Sequence, residues 1–178
     1  LDWNYGEHFG FTDKEVQRLC EDFGVENKYD LIKDWYNGYV FGNANVYNPW
    51  SVIRYVKALK SHEEEIPGSY WANTSSNHIV RSLLEMADDS VKNELESLID
   101  GGTVEKPIHE DITYEEVYES MDNLWNFMFF TGYFRKVKER IGEDDIRYLT
   151  LKIPNREVKY IFRKKIMDWF GQKMKERD

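Results

Sequence analysis

The sequence predicts a mainly α fold with a minor β part (α+β). Three observations lead there: apolar residues recur at helical spacing in several segments, capping residues and glycines bracket those segments, and strand-like runs are short and fall after residue 102.

The elements follow in order. Thr12 and Glu15 have capping-box spacing, Val16, Leu19, Cys20 and Phe23 form an apolar stripe, and Gly24 is a natural stop, so a first amphipathic helix ends there. A second runs over residues 28–37 on Leu31, Ile32 and Trp35 and ends before Gly38. The third starts sharply, with Asn48 as cap and Pro49 in the first helical position, and reaches about Lys60. Residues 61–68 read as a polar loop. Ser75 or Ser76 opens a helix that turns Ile79, Val80, Leu83 and Leu84 inward, and Asp88 or Asp89 caps another reaching Ile99. Gly101-Gly102 breaks the series; a short strand over 103–108 and a short helix over 114–119 complete this helical bundle.

The last third has a different rhythm. An intensely apolar helix over 122–131 stops at Gly132, and strands over 133–137 and 147–153 flank the turn Gly142-Glu143-Asp144-Asp145. The final helix starts after Pro154 with Asn155 as its cap. Val158, Ile161, Phe162, Ile166, Trp169 and Phe170 give it an apolar face, and Lys159, Arg163, Lys164 and Lys173 a solvated one. Helix, hairpin, helix is a winged-helix order. In its first helix Leu124, Phe127 and Met128 are expected in the core, with Trp125 at an interface with the preceding subdomain.

A chain of 178 residues, 41% hydrophobic and 32% charged, can bury a real core as one domain or two small subdomains. No apolar run approaches the roughly 20 residues of a membrane span, and the N-terminus shows no basic-then-apolar signal, so a cytoplasmic chain without a membrane partner is expected. Cys20 stands alone, which excludes an intrachain disulfide framework or a cysteine zinc site. His8, His62, His78 and His109 are scattered without ligand spacing, and no metal site is expected. Residues 121–178 hold 14 Lys+Arg and 9 Asp+Glu, net +5; subtracting from the totals of 24 and 33 leaves 10 and 24, net −14, before them. The expected subdomains are therefore 1–120 and 121–178.

The densest feature is Trp35 to Val52, WYNGYVFGNANVYNPWSV, where six aromatic residues and two glycines lead into the Asn-Pro helix start. Free backbone N–H groups at that start would face the Gly-rich segment, a geometry suited to something flat or anionic. An aromatic mini-core under a surface loop is the alternative. This stretch resembles a motif of the AAA-ATPase-like family, and HFGFT (His8 to Thr12) with Glu15-Val16, YWANTSSN (Tyr70 to Asn77), NLWNFMFFTGYF (Asn123 to Phe134) and LTLKIPNREV (Leu149 to Val158) resemble its later blocks in the same order.

The resemblance implies a helical lid subdomain over 1–120 and a winged-helix-like subdomain with one β-hairpin over 121–178. Both would follow an upstream P-loop domain, with a PD-(D/E)XK nuclease-like domain possible downstream in the same chain. Beginning at Leu1, the sequence is expected to be cut from a longer protein. The implied role is non-catalytic: closing over and regulating a nucleotide site, with Tyr47, Asn48, Pro49 and Trp50 at the nucleotide edge. ATP would be a cofactor of the full-length protein only, a P-loop ATPase by this resemblance. The competing class is a stand-alone protein- or nucleic-acid-interaction module.

Catalytic strings are missing from the 178 residues. No G-x-x-x-x-G-K-[ST] occurs, so ATP hydrolysis by this stretch alone is not expected. Thr150-Leu151-Lys152 puts a hydroxyl where a nuclease needs a carboxylate; Glu26-Asn27-Lys28 and Glu157-Val158-Lys159 have acid-x-Lys spacing but read as a loop and a helix. Direct DNA reading is not expected either. The helix before the hairpin holds no Lys or Arg, and only Asn123 and Asn126 could reach a base edge. The hairpin's Arg135, Lys136, Lys138, Arg140 and Arg147 could make weak phosphate contact.

Overall fold

Capping chemistry sets the helix boundaries. In the computed structural model, which describes residues 10–41, 44–71, 77–109, 115–143 and 145–175, helix α1 (Asp13–Phe23) opens with a reciprocal box. The Glu15 N–H donates to Thr12 Oγ1 at 3.4 Å, and the Thr12 N–H donates to Glu15 Oε2 at 2.8 Å. Gly24 closes the helix at φ 68°, in the left-handed region. The protein is mainly α with two small antiparallel sheets.

The backbone divides into two compact units, residues 1–73 with 154–158, and residues 74–153 with 159–178. In the first, a 3-10 turn (Glu26–Lys28) leads into α2 (Tyr29–Tyr36), then strands β1 (Tyr39–Phe41) and β2 (Ala44–Val46), then α3 (Pro49–Ser61). The β1–β2 hairpin was not expected from the sequence; each strand is only three residues, too short for alternation to register. Val16, Cys20, Ile32, Tyr36, Tyr47, Val52, Tyr55, Val56 and Leu59 form the core. Phe11 and Tyr47 bridge antiparallel next to Gly10, where a Cβ would lie 2.6 Å from the Tyr47 carbonyl oxygen.

The second unit holds α4 (Asn77–Met86), α5 (Asp89–Ile99), β3 (Val104–Pro107), a 3-10 turn (Glu116–Tyr118), α6 (Met121–Phe130), β4 (Arg135–Ile141) and β5 (Arg147–Lys152). Asp88 caps α5 through the Val91 N–H at 2.9 Å, and Ser120 caps α6 through the Asn123 N–H at 3.1 Å. Ser120, at the compositional boundary, thus lies inside this unit. Helix α7 (Arg156–Lys175) gives its first turn to the first unit and the rest to the second. Helix α6, hairpin β4–β5 and helix α7 keep the expected order, and β3 pairs antiparallel with the other side of β5, giving β3-β5-β4. A register shift between Lys136 and Lys138 leaves Val137 without a partner in the ladder.

One expectation about this core is corrected. Phe127, expected in the core, is only half-buried, while Trp125 is fully buried, stacked on Phe134 at 5.0 Å between centroids with the Lys106 ammonium of β3 4.8 Å from its ring centroid. Phe134 in turn stacks on Phe162 of α7 at 5.5 Å. Ser75 and Ser76 lie outside the described residues, as do the side chains of Trp169 and Phe170. Among the described residues no helix is long and apolar enough to cross a membrane.

Candidate functional site

The aromatic motif folds as a corner in the first unit. Tyr36 ends α2; its carbonyl accepts the Asn48 N–H at 3.0 Å, so the two ends of the hairpin excursion meet. Asn37 Oδ1 accepts the Gly38 N–H at 2.7 Å, and Gly38 sits at φ 104° with the Pro154 carbonyl oxygen where a Cβ would be. Only glycine fits that position.

Beneath the corner lies a set of tyrosines, each with its hydroxyl tied down. Tyr36 donates to the Gly68 carbonyl at 3.0 Å and Tyr55 to the Glu65 carbonyl at 2.8 Å. Tyr47 and Tyr29 both donate to Asp13 Oδ1, at 2.6 and 2.7 Å. Those two hydrogen bonds, with Lys33 nearby, hold the Asp13 carboxyl below its ordinary value. Burial raises the Tyr36 and Tyr47 hydroxyls well above theirs, and Tyr55 to about 12. The motif is therefore a wired aromatic base as well as a candidate ligand edge.

The four residues expected at that edge take different places. Tyr47 is fully buried. Asn48 Oδ1 accepts the Trp50 and Ser51 N–H groups at 3.1 and 3.4 Å, and the Asn48 carbonyl accepts that of Val52 at 3.1 Å. Since Pro49 has no N–H, the free donors expected at this helix start are all occupied, and anion capture by the bare α3 terminus is corrected. Pro49 is half-buried, and Trp50 presents its ring at 55% exposure.

Two residues not singled out from the sequence extend Trp50 into a ladder. The Arg54 guanidinium lies 5.6 Å from the Trp50 ring centroid and 6.0 Å from that of Tyr70. Arg54 is exposed and makes no ion pair among the described residues. Trp50 and Arg54 are four apart on a helix, a spacing visible in the sequence. Tyr70 comes from a distant block, with no such signal.

Glu157, weighed from the sequence only for its acid-x-Lys spacing, lies in the first turn of α7 where the sequence reading put a helix. It is fully buried. Both its oxygens lie within 2.9 Å of Ser51 Oγ, and Oε1 also accepts the Tyr70 and Trp71 N–H groups at 2.8 and 2.9 Å. Burial pushes its carboxyl up, partly offset by these donors.

Several of the groups weighed for nucleic-acid contact are occupied elsewhere. Asn126 is fully buried, and Asn123 donates to the Glu116 carbonyl at 2.8 Å. On the hairpin, Lys136 and Arg147 share Glu139 at 2.7 and 2.5 Å, and Arg140 pairs with Glu105. A shallow depression of about 570 Å³ on the first unit is lined by Asn27, Asp30, Leu31, Lys33 and Asp34, and by none of the four expected residues. No three or more His, Cys, Asp or Glu among the described residues are grouped to hold a metal ion. Compared with protein-family models, with curated proteins and with solved structures, the chain finds no match.

Proposed function

We propose that this chain is the non-catalytic lid and winged-helix part of an AAA-ATPase-like module, closing over and regulating a nucleotide site whose P-loop lies in an upstream segment. The observation behind this reading is the Asn48-Pro49 corner: a rigidly capped helix start that offers the Trp50 ring and Arg54 to solvent above a hydrogen-bonded aromatic base. An exposed indole on a fixed turn suits stacking on a planar base, and the occupied helix N–H groups leave the phosphates to the upstream P-loop. ATP is the proposed ligand of the longer protein, the upstream P-loop domain the proposed partner, and the 178 residues alone supply no catalytic group.

The test is ATP titration of the protein including its upstream segment. Pro49→Ala and Trp50→Ala should each weaken ATP binding with the fold intact by circular dichroism, Trp50→Ala by about 10-fold, equal to about 1.4 kcal/mol. Unchanged affinity in both variants would reject the reading. The alternative, an interaction module, draws on the outer face of α7, where Tyr160 and Met167 are 46% and 74% exposed beside the exposed Arg163 and Lys164.

A further inference from the structure

Glu157 is a carboxylate with no compensating cation among the described residues. Its donors are all neutral: one hydroxyl and two backbone amides. Burying a charge this way is costly, and a leucine there would avoid the cost. What the carboxylate does is geometric. Its donors come from two separate pieces of the first unit: Ser51, between Trp50 and Arg54 on α3, and the Tyr70-Trp71 backbone. Those pieces carry the three members of the ladder.

The turn that bears Glu157 is itself anchored. Asn155 Nδ2 donates to the Asn37 carbonyl at 2.8 Å, and Asn155 Oδ1 accepts the Val158 N–H at 3.0 Å. Arg156 pairs with Asp34 at 2.9 Å and lies over the Trp35 ring at 5.3 Å. Glu157 is thus held from behind by α2 and reaches forward to both halves of the ladder.

We propose that Glu157 is a positioning residue: its buried carboxylate fixes the spacing between α3 and the Tyr70-Trp71 backbone, and so keeps the Trp50–Arg54–Tyr70 ladder in shape for the adenine ring of a nucleotide. This rests on the nucleotide reading above and adds Arg54, Tyr70 and Glu157 to its site. Glutamine in place of Glu157 keeps an oxygen for the two amides and turns its NH2 toward Ser51 Oγ, so the link survives; alanine removes it.

The experiment is a double-mutant cycle on ATP binding by the protein with its upstream segment, paired with amide exchange at Tyr70 and Trp71. Glu157→Ala should speed exchange of both amides and weaken ATP binding about 10-fold, and Glu157→Gln should restore affinity to within about 3-fold of the parent. On a Trp50→Ala background, Glu157→Ala should cost less than about 2-fold, because the ladder is already gone. If Glu157→Ala does not fold, Ser51→Ala serves in the same cycle, with a loss of about 3-fold that also vanishes on that background. A loss that persists undiminished without Trp50, or no loss while Trp50→Ala alone weakens binding, overturns the positioning role and leaves the nucleotide reading standing. Unchanged ATP affinity in Trp50→Ala overturns both.

Discussion

Among the described residues each unit buries an amide or carboxyl side chain that joins separate stretches of backbone, and the two differ in kind. In the second unit it is Asn126, whose Nδ2 donates to the carbonyls of Pro107 and Asp122 at 2.9 and 2.7 Å and whose Oδ1 accepts the His109 N–H at 2.8 Å. In the first it is Glu157. An amide carries donors and an acceptor without charge, so it ties the end of β3 to α6 with no ion to desolvate. A carboxylate only accepts, and gathers three donors from two segments at the expense of burying a titratable group. The neutral node is a structural staple; the charged one makes its unit sensitive to pH.

The comparison is sharpened first by removing what surrounds the neutral node. Trp125 is fully buried, stacked on Phe134, with the Lys106 ammonium 4.8 Å from its ring centroid. Trp125→Ala should destabilise the second unit by about 3–5 kcal/mol through cavity formation, the largest effect expected. Hydrogen exchange of the β5 amides measures it, and a loss below about 1 kcal/mol would mean that this unit does not rely on its aromatic stack. Asn126→Ala should cost less, about 1–3 kcal/mol, since it leaves the Pro107 carbonyl and the His109 N–H without their buried partner while removing little volume. Its effect should be flat with pH between 4 and 8, in contrast to the charged node. A pH-dependent cost at Asn126 would break the distinction.

What the sequence made legible follows the range of the interactions. Caps joining residues two or three apart, at Thr12, Asn48, Asp88 and Asn155, could be read because both partners lie in one window. Glu157 and Ser51 are 106 residues apart, and nothing local in either marks the other. Helix α6 defeated the periodicity argument differently. Its residues are apolar nearly all round, so spacing did not decide which face turns inward, and Phe127, expected in the core, is only half-buried. At the candidate edge, sequence chemistry found the Asn48-Pro49 start and its cap but still counted the N–H groups that the cap and the Asn48 carbonyl occupy as free.

The smallest expected effect tests the charged node most directly. Burial raises the Glu157 carboxyl above the ordinary 4.5, so the folded protein holds this proton more tightly than the unfolded chain. The sign follows: this stabilising contribution is fully present below pH 4.5 and is lost as pH rises through the raised folded value. Asp13 runs the opposite way, its lowered carboxyl contributing stability above 3.8 that is lost on acidification. The two windows therefore fall on opposite sides of pH 4. Glutamine cannot ionise, so Glu157→Gln should remove the slope above pH 4.5 and leave the Asp13 slope in place. Relative to the parent, the variant should gain stability as pH rises from 4 to 8. Tyr36 and Tyr70, the titratable groups facing Glu157, ionise far above this range and cancel in the difference. Exchange protection of the Tyr70 and Trp71 amides, followed against pH in both proteins, reads this gain locally. A difference that is constant with pH, or that falls as pH rises, would mean that the buried carboxylate is as well solvated by its three neutral donors as by water, and the contrast with Asn126 would disappear.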